Sequence, residues 1–246
     1  MNKIQSFFNS TNKVYGVDVE KYKSIDMITD LADAYVLSTG YGAYIIDYFK
    51  QDVIYVSANI AKWCGISAEE VMRNGYEVLF RYISKEDYAL LIDINNAAFD
   101  FWRGKTAEQC LSYEVSYDFH FGDYMVNQHY KPYQMHDHRI WLALCTVSVS
   151  MRKESGNIIM KSYKDDFLYE YSLSSRKWKQ KKVVSLTERE KAVIRYSVQG
   201  FSSKEIGDIL LTSEETVRKQ KNMLFRKLGV NSIIEAVHFV LNNGLL

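Results

Sequence analysis

A single proline and twelve glycines in 246 residues leave few places where turn chemistry breaks the chain, so long strands and helices joined by short loops are expected. No run of about 18 apolar residues occurs, which excludes a bilayer-spanning helix by length alone. Met1-Asn2-Lys3-Ile4-Gln5-Ser6 is not followed by the apolar stretch of a secretory signal, so a cytoplasmic protein without membrane contact is expected. Cysteine is also scarce. Cys64, Cys110 and Cys145 are odd in number and far apart, with no CxxC pair for zinc or redox work, and each is expected as a small buried apolar residue outside any disulfide.

What is present is ordinary globular material: 47% hydrophobic, 25% charged, and an aromatic set of nineteen Tyr, twelve Phe and four Trp. The length suits two domains of roughly 100–150 residues each. The net charge of +1 hides an asymmetry. From Arg176 to Leu246 there are 14 Lys and Arg against 7 Asp and Glu, net +7, which leaves net −6 for the rest. A small basic module behind a larger acidic one suggests nucleic-acid binding. Five of those charges, Arg176, Lys177, Lys179, Lys181 and Lys182, read as a solvated linker at 176–183.

The C-terminal stretch is dense in helix starts. Capping boxes occur at Thr187/Glu190, Ser202/Glu205 and Ser232/Glu235, with Thr212/Glu215 or Ser213 as a fourth cap, and Gly200, Gly229 and Gly244 fall where helices end. Four helices are expected over 188–199, 203–210, 214–228 and 233–242. The short turn Leu211-Thr212-Ser213 between the second and third is of helix-turn-helix type. In the third helix Val217, Leu224 and Leu228 form one apolar face, while Arg218, Lys219, Asn222 and Arg226 share the other. Arg can bond guanine at two points and Asn adenine, so this face can read a major groove; a merely solvated basic face is the alternative.

Leu186-Thr187-Glu188-Arg189-Glu190, Gly200, Ser203-Lys204-Glu205-Ile206, Ser213-Glu214-Glu215-Thr216-Val217-Arg218 and Arg226-Lys227-Leu228-Gly229-Val230 resemble, in order and spacing, the LuxR/GerE-type helix-turn-helix. The resemblance implies base contacts from Arg218, Lys219 and Asn222 and phosphate contacts from Lys204, Thr216, Gln220 and Lys221. It also implies a homodimer contact on the fourth helix, where Ile233, Val237, Val240 and Leu241 make an apolar stripe that its own domain could equally cover. Gln220 stands where that family often has His, and Ser232-Ile233 where an Asn/Ser/Thr-Arg pair is usual.

Residues from about 26 to 150 have a different rhythm. Tyr44–Phe49 and Val53–Val56 read as a hairpin about Lys50-Gln51-Asp52, short helices follow over 59–73, and a longer one runs through Leu90, Leu91, Ile94, Ala98 and Phe101. Tyr113 to Phe121 alternates as a half-buried strand, Ile140 to Val149 reads as a central one, and Asn157–Met160 with Phe167–Leu173 as an extra hairpin. This order, with Asn59, Cys64-Gly65-Ile66-Ser67, Glu69-Glu70 and Ser84-x-Glu86-Asp87, resembles a PAS domain. The expected fold class is therefore α+β: a PAS-like antiparallel sheet with flanking helices at 26–175, preceded by a tail or docking helix at 1–25 and followed by an all-α four-helix DNA-binding domain at 184–246.

Such a sheet curls around a pocket open to a small-molecule ligand, a cofactor or its own side chains. Haem and flavin are disfavoured, because residues 85–103 contain no axial His and Cys64 sits in Lys62-Trp63-Cys64-Gly65, unlike a flavin-photosensor motif. His129, His136 and His138 with Asp137 are expected to be ordinary strand and loop residues with no metal, and Trp63, Trp102 and Trp141 to be core. No GxSxG, P-loop or HExxH context marks an enzyme, and no pattern of an isolated phosphoacceptor Asp marks a receiver. The expected function is a transcription regulator that binds double-stranded DNA under control of a sensor. The alternative is an adaptor whose PAS-like domain holds a partner protein and whose basic end anchors it on DNA.

Overall fold

The structure, a computed structural model, describes residues 3–165, 167–182, 185–242 and 245. The chain divides into two compact units, Met1–Lys181 and Lys182–Leu246.

In the first unit an eight-stranded sheet runs in the order β2-β1-β5-β4-β3-β6-β7-β8. Its strands are β1 (Gly42–Asp47), β2 (Asp52–Val56), β3 (Tyr113–Phe121), β4 (Tyr124–His136), β5 (Arg139–Val149), β6 (Gly156–Ser162), β7 (Phe167–Ser172) and β8 (Lys177–Lys182). Pairings from β2 through β7 are antiparallel. Between β2 and β3 lie the helices α3 (Ala58–Trp63), α4 (Ala68–Asn74), α5 (Lys85–Trp102) and α6 (Ala107–Ser112); before β1 lie α1 (Lys3–Phe7) and α2 (Ile25–Thr39). The antiparallel sheet with flanking helices followed by a helical unit is thus the observed architecture.

Local chemistry explains the elements. Ser67 and Ser84 cap α4 and α5 by accepting from the amides of Glu70 and Asp87, and Asn59 clasps the approach to β1 by donating to the carbonyls of Gly40 and Tyr41. Trp102 and Trp141 are core, Trp63 packs on its edge, and all three cysteines are free and buried. Burial pushes the Cys64 thiol up to about 12, so it stays protonated and inert.

One expectation is narrowed and two are corrected. Of the two alternatives for the N-terminal segment, a tail or a docking helix, residues 3–25 follow the docked one: Phe7 at the end of α1 and Phe8, Val14 and Val17 after it are in the core, and the Phe7 carbonyl accepts from both Asn12 and Asn95. The strand at Tyr113–Phe121 is wet only at the ends of its polar face: Glu114 is half-buried and His120 exposed, but Ser116 and Asp118 between them are buried where β6 pairs with β3 and brings its side chains alongside. Asp118, on the supposed wet face, accepts from Asn127 and Asn157 and meets Arg152 at 3.5 Å. The segment expected as a basic linker forms β8 up to Lys182, while residues 183 and 184 lie outside those described, as does Gly244. With β8 assigned to the sheet, Lys182–Leu246 holds ten basic and seven acidic residues, net +3, against net −2 for the rest. The charge contrast between units is smaller than the sequence suggested.

One half-buried ion cluster ties the middle of the sheet. Glu114 on β3 meets Lys161 on β6 at 3.1 Å and His129 on β4 at 3.2 Å. Burial alone would raise its carboxyl, but His129 and Lys161 outweigh that and hold it at about 2. A carboxylate held below its unfolded value adds stability that is fully present above pH ~4.5 and lost as pH falls toward about 2. Glu114→Gln should therefore cost on the order of 2 kcal/mol at pH 7 and almost nothing near pH 2. Melting temperatures of both proteins across that range check this; a constant difference at every pH would refute it.

Candidate nucleic-acid interface

The second unit contains α7 (Glu188–Val198), α8 (Ser203–Ile209), α9 (Glu214–Leu228) and α10 (Ile233–Asn242), with boundaries close to those read from the caps. The capping boxes at Thr187/Glu190 and Ser202/Glu205 are formed in both directions. Between the two candidates for the α9 cap, Ser213 holds the position and accepts from the Thr216 amide. At the other end Gly229 takes the left-handed conformation, φ +67°, that closes the helix.

Two small cores set the helix angles. Val193, Ile206 and Val217 lock α7, α8 and α9 together, while Leu186, Ile194, Leu224, Leu228, Ala236 and Val240 join α7 and α9 to α10. The α8–α9 turn is unusually close. A Cβ on Gly207 would lie 2.7 Å from the Thr212 carbonyl oxygen, and the Thr212 amide donates to the Gly207 carbonyl at 2.8 Å. Glycine is required there by backbone approach rather than by φ.

These cores turn Val217, Leu224 and Leu228 inward and leave Arg218, Lys219, Asn222 and Arg226 exposed along one side of α9. The structure therefore brings the three base-reading candidates together on one accessible helix face. Arg218 is drawn back to Glu214 at 2.6 Å and Lys219 to Glu215 at 2.8 Å, both exposed pairs one helical turn long. Such pairs contribute about 0.3–0.5 kcal/mol each, too little to withhold either cation from a base or phosphate. Lys204 is exposed on α8, and Thr216 is partly buried with its hydroxyl 2.8 Å from Ser213 Oγ. Gln220 and Lys221 are half-buried, and desolvation lowers the Lys221 ammonium from its ordinary value. Lys227 is spoken for: it bonds both oxygens of Glu190 at 2.9 and 2.8 Å and ties the end of α9 to the start of α7. Partial burial works against it, but Lys227 and the Thr187 donors hold the Glu190 carboxyl below its usual range.

Two residues of this surface escaped the sequence reading. Met223 is 68% exposed beside Asn222, an apolar tip suited to a thymine methyl, and only its place on the polar side of the α9 wheel marks it. On α10 the stripe divides. Val240 is fully buried in its own unit and is not available to a partner, Ile233 and Val237 are partly buried, and Ile234 at 67% and Leu241 at 62% are exposed. The histidines named as ordinary residues sit apart: His129 on Glu114, His136 Nδ1 2.8 Å from Lys21 Nζ, and His138 in the β4–β5 turn.

Residues 184–240 match the family described as bacterial regulatory proteins, luxR family. The Fimbriae Z protein of Escherichia coli (strain K12) is 44% identical over 57 residues, 23% of this chain and 27% of that protein. The transcriptional regulatory protein YdfI of Bacillus subtilis (strain 168) is 38% identical over 68 residues, 28% of this chain and 32% of that protein. The chain thus spans between about a quarter and a third of the length of these curated relatives. A crystal structure of a phage VqmA–DPO complex aligns over 91% of this chain and 92% of that chain, at 15% identity and a TM-score of 0.34.

Proposed function

We propose that this chain, whose residues 184–240 form a LuxR-type helix-turn-helix domain, is a DNA-binding transcription regulator in which α9 enters the major groove and the N-terminal PAS-like unit governs that binding. The carrying observation is the single accessible face on which Arg218, Lys219 and Asn222 stand, braced from behind by Val217, Leu224 and Leu228. Arg218 and Asn222 supply donor and acceptor patterns for base edges; Lys204, Thr216, Gln220 and Lys221 serve the phosphates. Two copies would present two such helices to a palindromic site through the exposed part of α10.

The sensor reading would place its ligand at a small cavity of about 30 Å³ in the first unit, lined by aromatic rings including Phe7, Tyr76 and Phe80. Gln128 is its polar centre, accepting from Tyr44 at 2.8 Å and donating to Tyr117 at 2.5 Å. That volume admits a water-sized group, whereas ligand sites usually enclose about 300–1,000 Å³. A ligand would enter by parting those rings, and Phe7 ties any such movement to the N-terminal segment.

Selecting bound sequences from a random duplex pool with the full chain yields a site on which the reading is tested. Arg218→Ala should lose about 1–3 kcal/mol there, roughly 5- to 150-fold, and relax preference at one base pair. Lys204→Ala should weaken selected and random DNA alike and flatten the salt dependence by about one phosphate's worth. Wild-type affinity of Arg218→Ala for both DNAs would remove α9 from the groove.

A further inference from the structure

We propose that strand β8 is a second DNA contact, a row of lysines at the sheet edge that takes the phosphate backbone beside the segment read by α9. This rests on the DNA-binding reading above and extends it to the first unit.

Trp178 fixes which way the strand faces. Its ring packs on Phe101 at 5.5 Å and Tyr171 at 5.0 Å, and its indole N–H donates to the Ala97 carbonyl at 3.1 Å. Alternation along a strand then sends Lys177, Lys179 and Lys181 to the opposite face. β8 ends the sheet, so one side of it has no neighbouring strand among the described residues. Arg176 is partly answered by Asp93 at 3.7 Å, and Lys181 pairs with Glu170. Lys177, Lys179 and Lys182 are exposed and have no ion pair among the described residues.

The charge and spacing of the row suit a polyanion. Every second strand residue advances about 6.7 Å, which is twice the 3.4 Å axial step between phosphates on one DNA strand. The row is also tethered to the reader. β8 ends at Lys182 and α7 begins at Glu188, a gap of chain that spans at most about 20 Å, less than one turn of duplex. A tether of that length permits the lysines to meet the duplex that the reader holds. Lysine on an edge strand also discourages edge-to-edge association, and that simpler role is what the test must separate.

The full chain is titrated against a random-sequence 40-bp duplex over a series of KCl concentrations. Lys177→Gln with Lys179→Gln should reduce the slope of log affinity against log salt by about 1.8, at roughly 0.9 per phosphate contact, and weaken binding several-fold at low salt. Lys177→Arg with Lys179→Arg should keep the wild-type slope, which a loss of lysine-specific packing would not. A glutamine variant with unchanged slope and affinity overturns the proposal and leaves the lysines as edge protection or as a surface for an acidic protein. Lys204→Ala keeps the two readings apart. If that variant shallows the slope and the β8 pair does not, only the β8 contact falls; if the wild-type chain binds no duplex, both fall.

Discussion

Gly207→Val is expected to weaken DNA binding at least tenfold without altering any side chain on the exposed face of α9. The obstacle is backbone: a Cβ at Gly207 meets the Thr212 oxygen at 2.7 Å, the Glu214 nitrogen at 3.3 Å and the Ser213 carbonyl carbon at 3.4 Å. Rotamer changes cannot relieve such a contact, and the two methyls of valine enlarge it. Room can be made only by moving the turn, which carries the Ser213 cap and with it the first residues of α9. Overpacking of this kind costs about 1–3 kcal/mol, and the gain from replacing a helical glycine recovers only part of that. If α9 reads base edges as proposed, a tilt costs it that register, so affinity for a selected site should fall at least tenfold, with a lower melting temperature for residues 182–246. Wild-type melting and wild-type affinity together would mean that the close α8–α9 approach is not what aims the helix.

The reader was legible from sequence because its signals are local. A capping Ser or Thr with Glu three residues on, a glycine at a helix end and an apolar residue every third or fourth position each act within one turn. Thr187/Glu190, Ser202/Glu205 and Gly229 accordingly sit where they were read. The sheet was harder because its logic is non-local. Asp118 reads as a solvent-facing residue until β6 is known to pair with β3, since Asn157 arrives from a strand close to forty positions away. β8 was misread for a related reason. Lys-Trp-Lys-Gln-Lys-Lys contains one apolar residue, so an edge strand with both faces largely wet has the composition of a linker, and Trp178 alone carried the contrary signal. The stripe on α10 was seen but not divided. Residues 233, 237, 240 and 241 span an arc wide enough to face two ways, and only the positions of Ile194, Leu224 and Leu228 decide which part is inside.

That division yields a sharp contrast between adjacent residues. Val240 is fully buried among Leu186, Ile194, Leu224, Leu228 and Ala236, whereas Leu241, about 100° further round the helix, is mostly exposed. Val240→Asp puts a carboxyl into an apolar core with no partner provided for it, at a cost of several kcal/mol. A unit of this size has a total stability of only about 3–10 kcal/mol. Helical circular dichroism from α7 to α10 should therefore collapse, and DNA binding with it. Leu241→Asp leaves that core intact, so the melting transition should stay within about 0.5 kcal/mol of wild type. If Ile234, Val237 and Leu241 form the face that joins two readers, the same variant should lose roughly tenfold or more in affinity for a palindromic site. It should also bind a single half-site as well as the wild-type chain does. Equal binding of wild type and Leu241→Asp to the full palindrome would leave the exposed stripe without a role in pairing and move the dimer contact to the first unit. Loss of fold in Leu241→Asp would instead show that this residue is core, contrary to its exposure here.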